Sequence, residues 1–534
     1  MSDAVRLLNL PLAWFDREQY RPRVVEQGRS VWHVLSKAVT PATTVPAEKP
    51  REPACGRSAL RAAFDATYDR WKLPRAPAVE LSLRELEMPG TPVVVAGQQP
   101  GFLGGPLHTV FKALSAIAAS RYRRELTGEP CVPVFWVAGD DHDLDEVRDA
   151  WLPAAGGEAC FRFPAEADRR PVSDYPVDRA AAEVLDAAKE HLAQRRFGDL
   201  AASLLDLYPG RGLAGGFAAM LAQMLGPLGL VILDPASVRP LAERIFRGVI
   251  EEPARILELV RQGRSDVQRK GLEPFVAERL PLFVVRDGRR HHLSPAAGGL
   301  QVDGGGPALS TREALEQLER EPGSFSHGAL LRPMVQEECL PCVLSVGGPA
   351  EVGYFAQIAP LAAHFGFDPP RIGLRCNATL VDGKSARLAE SLGAEVIARA
   401  RAPEELLPPE PEPEALRSAR ESAANAGENM LRAIAELAPP ADQARLERLA
   451  RKAAGDASGV VDRLARGLVA ARGREVDGAR KLWSILFPSG ELQERRWGMI
   501  HFVAKHGASF LEEIAGEIAR DPLRIVHRLV LFET

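Results

Sequence analysis

Val93-Val94-Val95-Ala96-Gly97-Gln98-Gln99-Pro100-Gly101-Phe102-Leu103-Gly104-Gly105-Pro106-Leu107-His108 opens the stretch that decides the fold, and Val132-Pro133-Val134-Phe135-Trp136-Val137-Ala138-Gly139-Asp140-Asp141-His142-Asp143 closes it. The first run reads as a buried strand ending in a glycine-rich turn. Pro106 suits the first helical position. Leu107, Val110, Phe111, Leu114 and Ile117 then repeat at helical spacing and predict a helix with one apolar face. The second run reads as another buried strand, ending in an acidic cluster. Two strands joined by one helix bring both polar ends to the same edge of a parallel sheet, where open α/β folds place their ligands.

Working outward, a third strand is expected at Leu228–Leu233, ending at Asp234-Pro235, and a fourth at Pro341–Val346, ending in Gly347-Gly348-Pro349. The second Gly-Gly-Pro copies Gly104-Gly105-Pro106. Aligned on the prolines, His108 falls opposite Glu351. Two such turns in one sheet read either as two walls of one crevice or as two tight turns that need glycine anyway. The chain divides into five stretches on this reading. Residues 1–150 hold the first half of the core with an N-terminal extension. Residues 151–330 are helical and mixed insertions around the strand at 228–233. Residues 331–400 complete the core, 401–480 form a helical hairpin or short coiled coil after a linker at Pro403–Pro413, and 481–534 are a C-terminal globular segment. In the hairpin, Leu446, Leu449, Ala453, Ala457, Val460 or Val461, Leu464, Leu468 and Ala471 step by three and four, a stripe that packs within the chain or pairs two subunits.

Composition bounds the rest. The 534 residues are 46% hydrophobic, enough for real cores. A net charge of -4 gives no global attraction to nucleic acid. Met1–Phe15 lacks a basic region followed by a long apolar run, so no signal peptide is expected. No stretch reaches the roughly 18 uninterrupted apolar residues of a membrane span. The six cysteines are sparse and suit a reducing cytoplasm. Cys339-Leu340-Pro341-Cys342 is a lone CxxC without the two further ligands zinc needs, and no metal is assigned to it.

The first turn, framed by Gly97, Gln98, Gln99, Gly101 and Gly105, opens a helix whose leading N–H groups welcome an anion. His108 and Lys112 are four apart and share a helical face. Lys112 suits a phosphate or carboxylate, and His108 an anion or a proton in transit; the plain alternative is a solvated lysine and a locally bonded histidine. Asp140, Asp141, His142 and Asp143, with Asp145 and Glu146 beyond, can supply a general base or hold a divalent metal through oxygen ligands. They can also be an ordinary acidic helix start. Arg332 with Gln336, and Arg371 or Arg375, can meet a substrate carboxylate. Two nucleotide patterns are excluded: the turn lacks G-x-G-x-x-G spacing, and Gly383-Lys384-Ser385 lacks the first glycine of a P-loop, that position being Ala378.

Taken together, Gly97 to Gly101, Gly104 to Thr109 with Lys112, Val134 to Asp143, Arg332 to Glu337, Val346 to Val352, Leu486 to Gly490 and Gln493-Glu494-Arg495 resemble the cysteine-adding enzymes of bacillithiol synthesis, the BshC family. The matches run in order and span most of the chain. The resemblance implies a Rossmann-like core with two connecting insertions and a C-terminal α-helical coiled coil that can join a homodimer. It implies a cytoplasmic ligase that adds L-cysteine to the amine of glucosaminyl-malate, the last step toward bacillithiol. A carboxylate so joined must be activated, most simply by ATP, and the amine deprotonated. The catalytic candidates are His108, Asp141, His142 and Asp143. The binding candidates are Gly97, Gln98, Gln99, Gly101, Gly105, Lys112, Asp140, Arg332, Gln336, Gly347, Gly348 and Glu351. Two other readings stand beside it: a nucleotidyltransferase using metal-held carboxylates, and a non-catalytic sugar-acid-binding scaffold.

Overall fold

The computed structural model describes residues 5–10, 42–270, 274, 276–304, 306–407, 413–470 and 473–532. They fall into two compact units, one comprising residues 1–380 and 490–531, the other 381–489 and 532–534.

The first unit is built on a five-stranded sheet of β1 (Val93–Gln98), β2 (Val132–Val137), β3 (Val231–Leu233), β4 (Cys342–Gly347) and β5 (Ile372–Leu374). Its order is β5-β4-β1-β2-β3, and every neighbouring pair is parallel. Chain order therefore reverses between β1 and β4, the point where such sheets open a crevice beyond their C-terminal ends. The register sets Gly97 opposite Trp136 and Val346 opposite Ala96. Val93 to Ala96 and Val132 to Val137 are buried on both faces, which is why the sequence runs apolar there without alternation. This is the α/β, Rossmann-like core expected.

The helix α1 (Leu107–Thr127) follows β1. Where one apolar face was expected, α1 is buried almost all round through Ser120. The helix Ser509–Ala519 packs on it as well as the sheet. The third strand is shorter than expected, because Gly226–Leu228 winds into a 3-10 turn around Pro227 and only Val231–Leu233 pairs with β2. Asp234 then caps the next helix, accepting from the Ala236 N–H at 3.1 Å.

The insertions contain both helices and strands. The first holds the hairpin Asp149–Ala154/Gly157–Arg162 and three helices between Arg179 and Leu225. The second ends in a five-stranded antiparallel sheet, with strands Leu309–Ser310, Gly299–Val302, Arg289–Ala296, Leu282–Arg286 and Phe325–His327 in spatial order. Its central hairpin turns at Asp287-Gly288, both at positive φ (50° and 70°), as a two-residue hairpin loop requires.

The second half of the core contributes α2 (Arg332–Cys339) before β4 and α3 (Pro349–Phe355) after it. The stretch read as one segment from 481 to 534 is divided: residues 490–531 belong with the core. The reason is a polar clamp, since the Gln493 amide bonds both backbone groups of Leu380, at 2.8 and 2.9 Å. The strand His527–Phe532 also lies between Val5–Leu10 and Asn377–Asp382.

In the second unit, α4 (Glu414–Leu437) and α5 (Pro440–Ala470) run back antiparallel, pairing Arg420 with Asp462 at 3.0 Å. Gly427 lets them touch, since a Cβ there would lie 2.9 Å from that of Ala454. The predicted stripe mostly faces outward: Leu449, Val460 and Leu464 stand 55%, 51% and 56% exposed, and of its described side chains only Val461 is buried. Ala450, one position off the stripe, is buried as well. The side chains of Leu468 and Ala471, and part of the Pro403–Pro413 linker, lie outside the described residues.

Candidate active site

The reversal between β1 and β4 joins the two glycine turns through one buried ion pair. Lys112, one turn along α1 from His108, reaches across β1 to Glu351 on α3. Its ammonium also donates to Gly97 O at 3.1 Å and Gln98 Oε1 at 2.7 Å. Glu351 takes a further bond from the Gly348 N–H (2.8 Å) and lies 3.4 Å from Arg332 Nη2. Burial works against its charge, but Lys112 and Arg332 outweigh that and hold its pKa below the usual glutamate value. Arg332 also donates to the Tyr354 hydroxyl. Gly97 makes room for this guanidinium, since a Cβ there would sit 3.0 Å from Arg332 Nη1 and 3.1 Å from Trp136 O. The space these groups enclose with Gln336 and Ser345 is about 10 Å³, near what one water needs. Gln336 Nε2 is buried there without a hydrogen-bond partner.

The acidic cluster after β2 forms a second group, linked to the first through adjacent residues of the turn: Gln98 holds Lys112, and Gln99 donates to Asp141 Oδ2 at 2.8 Å. Asp140 is buried, 3.5 Å from His327 Nε2 and 3.7 Å from Arg239 Nη2. Burial would raise its pKa, yet His327, Arg239 and Arg290 lower it. His327 itself is pushed down to about 4 by burial, against the pull of Asp140. Asp141 is partly exposed and accepts from the His142 N–H (2.7 Å) and Arg290 Nη1 (3.1 Å). Asp143 is exposed and accepts from the Glu146 N–H at 3.3 Å, a turn-capping role. His142 Nδ1 lies 3.3 Å from Arg290 Nη1. A guanidinium only donates, so Nδ1 accepts and the ring proton sits on Nε2. Burial and then Arg290 lower the His142 pKa, leaving it neutral near pH 7.

His108 belongs to neither group. Its Nδ1 meets the backbone oxygen of Glu494 at 3.2 Å, and burial holds its pKa well below the usual value. The Glu494 carboxylate forms a two-pronged pair with Arg375 at 3.0 and 2.8 Å and also accepts from the Ala378 N–H. Arg371 pairs with Glu48 at the surface. At the start of α1 the Leu107 N–H donates to Trp497 O and the Thr109 N–H to Pro106 O, so part of the expected anion cradle is satisfied within the chain. Gly101 and Gly105 shape this turn: a Cβ on Gly101 would lie 2.6 Å from Gly105 Cα, and Gly105 has φ +69°. Gly347 opens the second turn in the same way, with Glu351 Cβ 2.8 Å from where its own Cβ would be. Cys339 and Cys342 bond to different carbonyls, Val238 O and Gln336 O. Among the described residues no group of three or more His, Cys, Asp or Glu is arranged to hold a metal ion.

The sequence reading missed Arg290, His327 and Arg239, which all come from the second insertion. One signal was present. Asp287-Gly288 between Leu282–Arg286 and Arg289–Ala296 marks a hairpin, and a hairpin places alternate residues such as Arg290 and His292 on one face.

The model of a protein family described as "Bacillithiol biosynthesis BshC, N-terminal Rossmann-like domain" matches residues 38–376. A protein of Koribacter versatilis named "Putative cysteine ligase BshC" is 31% identical over 468 residues, covering 83% of this chain and 84% of its own. Proteins of the same name from Geobacillus thermodenitrificans and Solibacter usitatus are 28% and 29% identical, covering 82% and 84% of this chain and 84% and 85% of their own. With these matches running through the sheet, both turns and the acidic cluster, the chain belongs to the BshC family of bacillithiol biosynthesis.

Proposed function

We propose that this protein is the ligase that joins L-cysteine to the amine of glucosaminyl-malate, the final step that forms bacillithiol. The observation that carries this reading is a carboxylate and a neutral histidine, Asp141 and His142, 3.5 Å apart on the loop after β2, at the C-terminal edge of the parallel sheet. In the step proposed, the amine nitrogen attacks the activated carboxyl carbon of cysteine. The C–N bond forms, the bond from that carbon to its activating group breaks, and the amine proton passes to Asp141. His142 Nε2–H donates to the oxygen that gains charge, a task suited to a neutral ring. Beside it, Arg332 with Glu351 and Lys112 form a buried network that holds the two glycine turns rigid.

ATP is the proposed activator, and no residue is assigned to it, because the donors at the start of α1 are partly taken by the chain itself. The six cysteines are all unpaired, which supports a cytoplasmic setting. No described helix is long and apolar enough to cross a membrane. We further propose that the exposed stripe on α5 joins two copies of the chain. Incubating the protein with glucosaminyl-malate, L-cysteine and ATP should yield bacillithiol by mass spectrometry, with equimolar phosphate or pyrophosphate. Product without either release would reject ATP as activator; no product would reject the ligase reading.

A further inference from the structure

One guanidinium ties together two members of the acidic cluster, Asp141 and His142. Arg290 is buried in the strand Arg289–Ala296 of the second insertion. Its Nε donates to Ser326 Oγ at 3.0 Å and its Nη2 to His327 O at 2.6 Å, which fixes it to the neighbouring strand Phe325–His327. Its plane stacks over Phe283, 3.8 Å from the ring centroid. Only Nη1 is left to face the core, and it meets both Asp141 Oδ1 and His142 Nδ1. Its own backbone is tied down too, since the Arg290 N–H donates to Arg169 O at 2.8 Å. A side chain held at three nitrogens and one face has no freedom to relax.

We propose that Arg290 is a positioning residue of the ligation site, which locks His142 into the tautomer with its proton on Nε2 and keeps Asp141 at its side. This rests on the ligase reading for the reacting groups, but not for the lock itself. The inserted sheet thereby becomes part of the active site: it supplies no group to the substrate and fixes which atoms of the β2 loop face it. His142 is faced by Asp141 and Asp143 from its own loop, by Arg169 from the first insertion and by Arg290 and Phe283 from the second. Removing Arg290 takes away the strongest positive charge acting on the ring, so it should gain a proton more readily and its tautomer preference should fade.

The test is nitrogen-15 NMR of the histidine rings in the full chain, with His142 assigned by its absence in His142→Gln. In the wild type, Nδ1 is expected unprotonated and Nε2 protonated at neutral pH. In Arg290→Gln, mixed tautomers and an upward-shifted His142 titration are expected. Arg290→Lys keeps the charge but loses the fork, so it should keep the low titration while mixing the tautomers. If Arg290→Gln does not fold, the lysine variant decides alone. Unchanged tautomer and titration in the folded variants would overturn the proposal. In the bacillithiol-forming assay, kcat should fall on the order of tenfold to a hundredfold with KM little changed, and the acid limb of the pH profile should move up. The spectra need no turnover, so a protein that shows the lock yet makes no bacillithiol would refute the ligase reading and leave the lock standing.

Discussion

At Glu351 a single carboxylate closes the contact between the two glycine turns, and the cost of losing it follows from burial. Glu351→Gln removes the partner of a Lys112 that is almost wholly enclosed, leaving an uncompensated charge. The expected loss of stability is about 3–5 kcal/mol, measured by urea unfolding. Adding Lys112→Met should recover much of it, because the pair then vanishes together. His327 gives a pH signature. Its folded pKa of about 4 lies below the unfolded value of about 6.5, so between them the unfolded chain binds more protons. Stability should be full above about pH 6.5 and fall as pH drops toward 4, by roughly 3 kcal/mol at most. His108 and His501 are pushed down by burial too, so the difference between wild type and His327→Gln isolates this one. Asp141, His142 and Glu351 were legible in the sequence because each stands directly after an apolar strand or a Gly-Gly-Pro turn. Arg290 was not, since it lies 149 residues from Asp141 in a segment whose fold fixes its direction.

Among elements, the most legible were those with long buried apolar runs. Val93–Ala96 of β1 and Val132–Val137 of β2 are buried without alternation, the signature of a strand covered on both faces; β4, interrupted by Ser345, was legible with the help of the Gly-Gly-Pro that ends it. The third strand is cut to Val231–Leu233 by Pro227 and Gly229, which the apolar pattern alone overrode. The antiparallel sheet of the second insertion shows only in its Asp287-Gly288 turn, because half of its residues face solvent. The helical hairpin was legible by its period, but period does not say which face meets which neighbour. Its outward residues carry a prediction. If Leu449 and Leu464 pair two chains, the protein should elute by light scattering at about twice its 57.9 kDa chain mass. The double variant Leu449→Glu, Leu464→Glu should then elute as a monomer with unchanged helix content. Both positions are over half exposed in the single chain, so the charges need not disturb the hairpin itself. A wild type already monomeric at working concentration would end this idea.

For the whole molecule, the sheet order β5-β4-β1-β2-β3 is what makes distant segments one site. It sets Gly97 beside the loop after β4 and puts the β2 loop next in line, so residues 97, 142 and 351 converge although some 250 positions separate the first from the last. The inserted sheet then covers the β2 loop from outside. Fold class and the polar edge were readable from strand order and turn chemistry; the family was readable only from the motifs taken together, and the substrate stays a proposal. The most direct measurement is the rate of bacillithiol formation by His142→Ala and Asp141→Asn against wild type, with glucosaminyl-malate, L-cysteine and ATP at saturation. The switch-point site predicts a fall in kcat of at least about 10²-fold in each, the usual scale for a lost general acid or base, with folding unchanged. Turnover within twofold of wild type in both variants would contradict it and move the chemistry away from the β2 loop.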